Sequence, residues 1–186
     1  MILPVYICGQ QVLRKVCQDI PADYKDLGQL IENMFETMYN ADGVGLAGPQ
    51  VGLDYRIFVV DLNVFADEKP EFKGFKKVFI NAQIVERDGD DVVLEEGCLS
   101  IPGIHENVTR KDRIRIQYLD ENLKPQDEYF EGYKARVIQH EYDHIEGILF
   151  VDHISGIRKQ LIKGKLNNML KGKVNCSYKV KPVALK

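Results

Sequence analysis

The residues best placed to do chemistry in this chain are His140-Glu141-Tyr142-Asp143-His144. Residues four apart on a helix project from one face, so both imidazoles can reach a single metal ion. Glu141 lies about 100° around that helix from His140 and can flank the metal without ligating it. A general base for bound water requires that placement. Two histidines do not complete such a centre, because catalytic zinc-type sites usually have three protein ligands and one open position. His153, His105, the acidic residues and the cysteines are the candidates for the third. His153 lies nine residues beyond His144, far enough along a helix to point elsewhere. Cys98, in Glu95-Glu96-Gly97-Cys98-Leu99-Ser100-Ile101-Pro102-Gly103, is the stronger candidate. It follows a strand pattern, has a glycine before it and precedes a proline-bearing turn. Alone it reads as a buried, inert thiol; beside a histidine helix it reads as a ligand.

The elements that must position these residues follow from hydrophobic periodicity. Gln10–Ile20 and Asp26–Asn40 read as helices; in the second, Leu27, Leu30, Ile31, Met34, Phe35 and Met38 recur at helical spacing until Ala41-Asp42-Gly43 ends it. A glycine-rich connector, Gly43 to Gly52, leads to a buried strand over Tyr55–Asp61, and Asn63–Gly74 reads as an irregular loop. Lys77–Val85, Val92–Leu94, Arg113–Tyr118 and Asp127–Phe130 are further strands. Ala135–Gly147 is a helix carrying the histidine pair, and Ile154–Leu170 is another with Ile154, Ile157, Leu161, Met169 and Leu170 along an apolar face. Strands in the middle and helices at both ends predict an α+β fold. Its mixed or antiparallel sheets pack around a central helix bearing the metal motif, with an amphipathic C-terminal helix. Residues 1–171 are expected to form a single metallohydrolase domain and 172–186 a basic C-terminal tail.

Three segments together resemble peptide deformylase. They are Gly43-Val44-Gly45-Leu46-Ala47-Gly48-Pro49-Gln50, Glu96-Gly97-Cys98-Leu99-Ser100 and Gln139-His140-Glu141-Tyr142-Asp143-His144. The family signatures are G-x-G-x-A-A-x-Q, E-G-C-L-S and H-E-x-D-H. They occur here in the family's order, and the resemblance spans about residues 1–155. The second and third match letter for letter; in the first, Gly48 stands where the family usually has its second alanine. The resemblance implies a hydrolase that removes the N-formyl group from the formylmethionine of newly made polypeptides. Its metal would be Fe²⁺, replaceable by Zn²⁺, Ni²⁺ or Co²⁺. Carried over by position, Cys98, His140 and His144 bind the metal and Glu141 is the acid/base. Gln50 and the Leu99 amide are oxyanion donors, and backbone around Val44, Gly45 and Gly97 aligns the peptide. Two other readings compete: a zinc endopeptidase, which shares H-E-x-x-H, and a non-catalytic metal or electron-transfer protein, since two histidines and a cysteine also describe blue-copper ligation.

Composition sets the frame. The chain has 186 residues, 45% hydrophobic and 28% charged, the profile of a globular domain with room for a sizeable core. No apolar run is long enough to span a bilayer, and the N-terminal segment lacks the basic start of a secretory signal. Cys8, Cys17, Cys98 and Cys176 are scattered, which with no export signal favours reduced thiols and a cytoplasmic setting. Cys8, Cys17 and Cys176 read as packing residues or free thiols, and His105 and His153 as surface residues or supports for the site. Asp143 is expected to orient a neighbour, and Glu96 and Arg110 to pair and brace the cysteine loop. Charge is uneven: nine of the 25 basic residues and none of the 28 acidic ones lie in 158–186, which leaves residues 1–157 at −12. Such a basic end on an acidic body is the part able to approach RNA phosphate, so 158–186 is a candidate ribosome contact.

Overall fold

The run Tyr55–Asp61 shows how the chain builds its centre. In the computed structural model, which describes residues 1–184, it forms a strand with a helix on either face. In chain order the elements are β1 (Val5–Tyr6), α1 (Leu27–Asn40), β2 (Gly45–Ala47), β3 (Ile57–Asp61), β4 (Lys76–Cys98), β5 (Ile101–Leu119), β6 (Pro125–Glu131), α2 (Gly132–Ile145), α3 (Gly156–Leu170) and β7 (Val180–Lys181). Ile57 and Val59 of β3 pack with Ile31, Met34 and Met38 of α1, while Phe58 and Val60 pack with Ile138 and Tyr142 of α2. Alternate residues of a strand point to opposite faces, and here both faces are covered, so Ile57 to Val60 are all apolar.

Strands β2 to β6 make one antiparallel sheet in chain order, and β1 and β7 form a separate parallel pair. Mixed α+β architecture with an antiparallel sheet and three helices is thus what the chain adopts. The β4–β5 hairpin is its longest feature. Irregularities in its register allow it to bend, and it ends in a two-residue turn, Leu99-Ser100, with Cys98 opposite Ile101.

Several expectations need correction. Gln10–Ile20 is not a helix: only Gln11–Arg14 makes a single 3-10 turn, and the chain is extended from Lys15. The Cys17 N–H donates to the Ile145 carbonyl at 2.8 Å and the Gln18 N–H to the Asp54 carbonyl at 3.0 Å. These tertiary bonds displace helical ones in a segment where β-branched Val16 favours extension. The glycine-rich connector contains a strand, β2. Lys77–Val85 and Val92–Leu94 are parts of one strand, and β5 begins twelve residues before Arg113. Ile154 precedes α3, which starts after Ser155, whose Oγ accepts the Arg158 N–H at 3.3 Å. The buried face of α3 is Ile162, Leu166 and Met169, at helical spacings of four and three. Ile157 and Leu161 are 78% and 67% exposed, so α3 is not amphipathic in the sense expected. Lys186, counted in the basic segment, lies outside the described residues.

Candidate active site

Two elements converge to make the site. The β4–β5 turn presents Cys98, and α2 presents His140, Glu141 and His144 from the opposite side. One ligand atom from each of Cys98, His140 and His144 lies within 4.8 Å of the other two. His144 Nε2 is 3.3 Å from Cys98 Sγ, and His140 Nδ1 is 2.9 Å from Glu96 Oε2, which leaves its Nε2 for the cluster. Burial opposes ionisation of the Cys98 thiol, but the charge of His144 and hydrogen bonds from both imidazoles outweigh it and pull it down to about 5. Thiolate is the ligand form, and one sulfur with two imidazole nitrogens suits a divalent transition metal, so these residues fit one.

Glu141 is buried and its Oε2 has no hydrogen-bond partner. Burial pushes its carboxyl up to about 7, although the charges of His140 and His144 pull the other way. Gly45 explains how it fits: a Cβ there would sit inside the Glu141 carboxylate. Gln50 is held at both ends. Its Oε1 accepts the Ala47 N–H at 2.8 Å, so its Nε2 faces Ser100 Oγ at 3.3 Å and Cys98 Sγ at 3.5 Å. Gly48 is accounted for by sterics, because a Cβ there would stand 2.8 Å from the Tyr55 carbonyl oxygen. A Cβ at Gly97 would meet the His105 ring at 2.6 Å. A cleft of about 550 Å³ brings Val44, Gly45, Gln50, Gly97, Cys98, Leu99, His140 and Glu141 to one surface; His144 lies behind it.

Behind the histidines runs a buried ionic chain. Glu96 accepts from Arg110 Nε at 2.6 Å and Arg136 Nη1 at 2.8 Å as well as facing His140. Arg110 Nη1 also reaches Asp143 Oδ2 at 2.7 Å, which His153 Nε2 approaches at 2.7 Å. The Glu96–Arg110 pair expected from the sequence is present, and Asp143 does orient its neighbours. Ser100 was read only as a letter of its signature, and Arg136 went unnoticed because it lies in no spacing pattern that signals chemistry. Tyr178 did too, and its O–H donates to the Leu99 carbonyl at 2.6 Å.

Comparison with known proteins finds relatives along the length of the chain. The profile of the family described as Polypeptide deformylase matches residues 2–160. A peptide deformylase of Flavobacterium psychrophilum is 51% identical, with 100% of each chain covered. Another, from Cytophaga hutchinsonii, is 53% identical over 97% of each. The crystal structure of a peptide deformylase from Legionella pneumophila superposes with a TM-score of 0.80 at 34% identity, covering 94% of this chain and 100% of that one.

Proposed function

The chain belongs to the polypeptide deformylase family, and from that premise we propose that Cys98, His140 and His144 hold its metal while Glu141 moves the proton. The enzyme is a metal-dependent hydrolase that removes the N-formyl group from newly made polypeptides. Family membership sets aside the endopeptidase and the electron-transfer protein.

A divalent metal held by Cys98, His140 and His144 would supply Lewis-acid activation of water and of the formyl carbonyl. Glu141, with a carboxyl shifted toward neutrality by burial, takes the proton of the attacking water. As the water oxygen adds to the formyl carbon, negative charge grows on the carbonyl oxygen. Gln50 Nε2 and the Leu99 N–H are the donors for it, and Gln50 is already fixed through its Oε1. Glu141 then returns the proton to the departing amine, and the C–N bond breaks to give formate and a free N-terminus. Backbone at Val44, Gly45 and Gly97 lines the cleft where the peptide lies.

What carries this reading is the meeting of a cysteine from a hairpin turn with two imidazoles of one helix, beside a carboxyl without a partner. It is tested by hydrolysis of a formyl-Met dipeptide, with casein as the contrasting substrate and metal analysis of Cys98→Ser beside the wild type. Fe²⁺ is the proposed native metal, with Zn²⁺, Ni²⁺ and Co²⁺ as substitutes; thiolate and imidazole donors accept all four.

Residues 1–171 are proposed as the metallohydrolase domain, with 172–184 packed onto it. A cytoplasmic setting is supported by four free cysteines. Among the described residues no helix is long and apolar enough to cross a membrane. The basic segment 158–186 is proposed to contact ribosomal RNA phosphate without reading sequence. Arg158 is partly spent on Glu106, at 2.8 Å, so the lysines carry most of that contact.

A further inference from the structure

Beyond residue 160, where the family profile ends, the chain returns to the cleft. Residues 173–180 run along the body with Val174, Cys176, Tyr178 and Val180 partly buried and the residues between them exposed. That is the alternation of a half-buried strand. The strap is fastened at both ends. Val174 and Val180 pack against the cluster that includes Ile7 and Ile101. The Val5 N–H donates to the Lys179 carbonyl at 2.9 Å, and Gln10 Nε2 donates to the Pro182 carbonyl at 2.7 Å. Between the fastenings, Asn175 to Tyr178 form one wall of the cleft.

The Leu99 carbonyl that accepts the Tyr178 O–H at 2.6 Å belongs to the peptide plane joining Leu99 to Ser100. The N–H of the same plane donates to Cys98 Sγ at 3.4 Å. A peptide unit is rigid, so holding its oxygen fixes the direction of its N–H. Hydrogen bonds in series also polarise one another. The plane lies in a two-residue turn, where rotation about the flanking bonds would otherwise swing the N–H off the sulfur.

We propose that Tyr178 is a positioning residue for the metal centre, aiming the Ser100 N–H at the Cys98 sulfur through one peptide plane and making the 173–180 strap a working part of the site. The proposal rests on the reading of Cys98 as a metal ligand. Groups that hydrogen-bond to a ligand tune its donor strength and orientation, and losing one weakens metal binding.

The test uses the Co²⁺-loaded full chain, as wild type, Tyr178→Phe, Cys98→Ser and a chain ending at residue 172. Each is read by its thiolate-to-cobalt absorption band, by Co²⁺ affinity in competition with a chelator, and by kcat and KM on a formyl-Met tripeptide. Tyr178→Phe keeps the ring and removes the donor. It should move the thiolate band and weaken Co²⁺ affinity by roughly 2–10-fold, the worth of one hydrogen bond. Its kcat should fall more than its KM rises. The shortened chain should lose at least as much affinity. An unmoved band and unchanged affinity in Tyr178→Phe, with a band that vanishes in Cys98→Ser, would overturn the role of Tyr178 alone, whatever happens to thermal stability. A wild-type spectrum that Cys98→Ser leaves intact would instead remove Cys98 from the ligand set, and this proposal with it.

Discussion

Glu141, the proposed proton carrier, sits among groups that pull its carboxyl in both directions. Glu141→Gln keeps size and spares the ligands, so metal content should persist while kcat on a formyl-Met peptide drops by roughly 10²–10⁴; near-normal turnover would remove Glu141 from its role. Gly45→Ala tests the same carboxyl from the other side. The added methyl has to displace it, so turnover should fall although no catalytic group is deleted. Cys98 makes a different vulnerability, because thiolates are readily oxidised and Fe²⁺ beside one invites oxygen chemistry. The iron form should lose activity in air faster than the nickel form, and equal half-lives would count against thiolate ligation of iron. At this scale much was legible. The four-residue spacing of the histidines announces chemistry by itself, and Cys98 becomes a ligand candidate only beside it. The fixing of Gln50 by the Ala47 N–H was not, because it depends on a 3-10 turn at Gly48–Val51 that no periodicity signals.

Among elements, α2 and the β4–β5 hairpin are held in register by Arg110, which binds Glu96 of β4 and Asp143 of α2 at once. Arg110→Met would take one partner from each of two buried carboxylates and should cost about 3–5 kcal/mol of unfolding free energy in a urea titration. The pH dependence has a defined sign. Burial raises both carboxyls; hydrogen bonds from His140 and Arg110 to Glu96, and from His153 and Arg110 to Asp143, more than offset it and hold both below their usual values. Between the folded and unfolded values the unfolded chain binds more protons. Their stabilisation is therefore full above the ordinary carboxylate range and lost as pH falls below about 4. In Arg110→Met this acid-side slope should flatten. A wild-type slope retained in the variant would place the stabilisation elsewhere. The first half of β5 was hidden in the sequence for the same reason that it matters. Its inward positions include Glu106 and Arg110, so the alternation of a strand is there but not in hydrophobic letters. In α3 the apolar residues lie on more than one face, and spacing alone did not say which would be buried.

For the whole molecule, the uneven charge was plain in composition, but the path of the basic segment was not. Strand β7 has two residues and its partner lies near the other end of the chain, so no local pattern pairs them. The strap also changes how the proposed ribosome contact must be tested. Deleting residues from 172 onward removes a wall of the cleft along with the charge, so charge reversal on α3 is the cleaner experiment. Lys159→Glu, Lys163→Glu and Lys165→Glu together should weaken ribosome co-sedimentation and flatten its salt dependence, with cleavage of a free formyl-Met peptide near normal. Binding unchanged across the salt series would assign these lysines to solvation. The parallel pairing of Val5 with Val180 also orders events in time. A strand made at the start of synthesis has no partner until residue 180 exists, and closing so long a loop comes late in folding as well. The His140–His144 helix and the Cys98 turn can meet earlier, but the wall carrying Tyr178 cannot be fastened until then. An enzyme that acts on nascent chains is, while nascent itself, an open-sided version of its finished form.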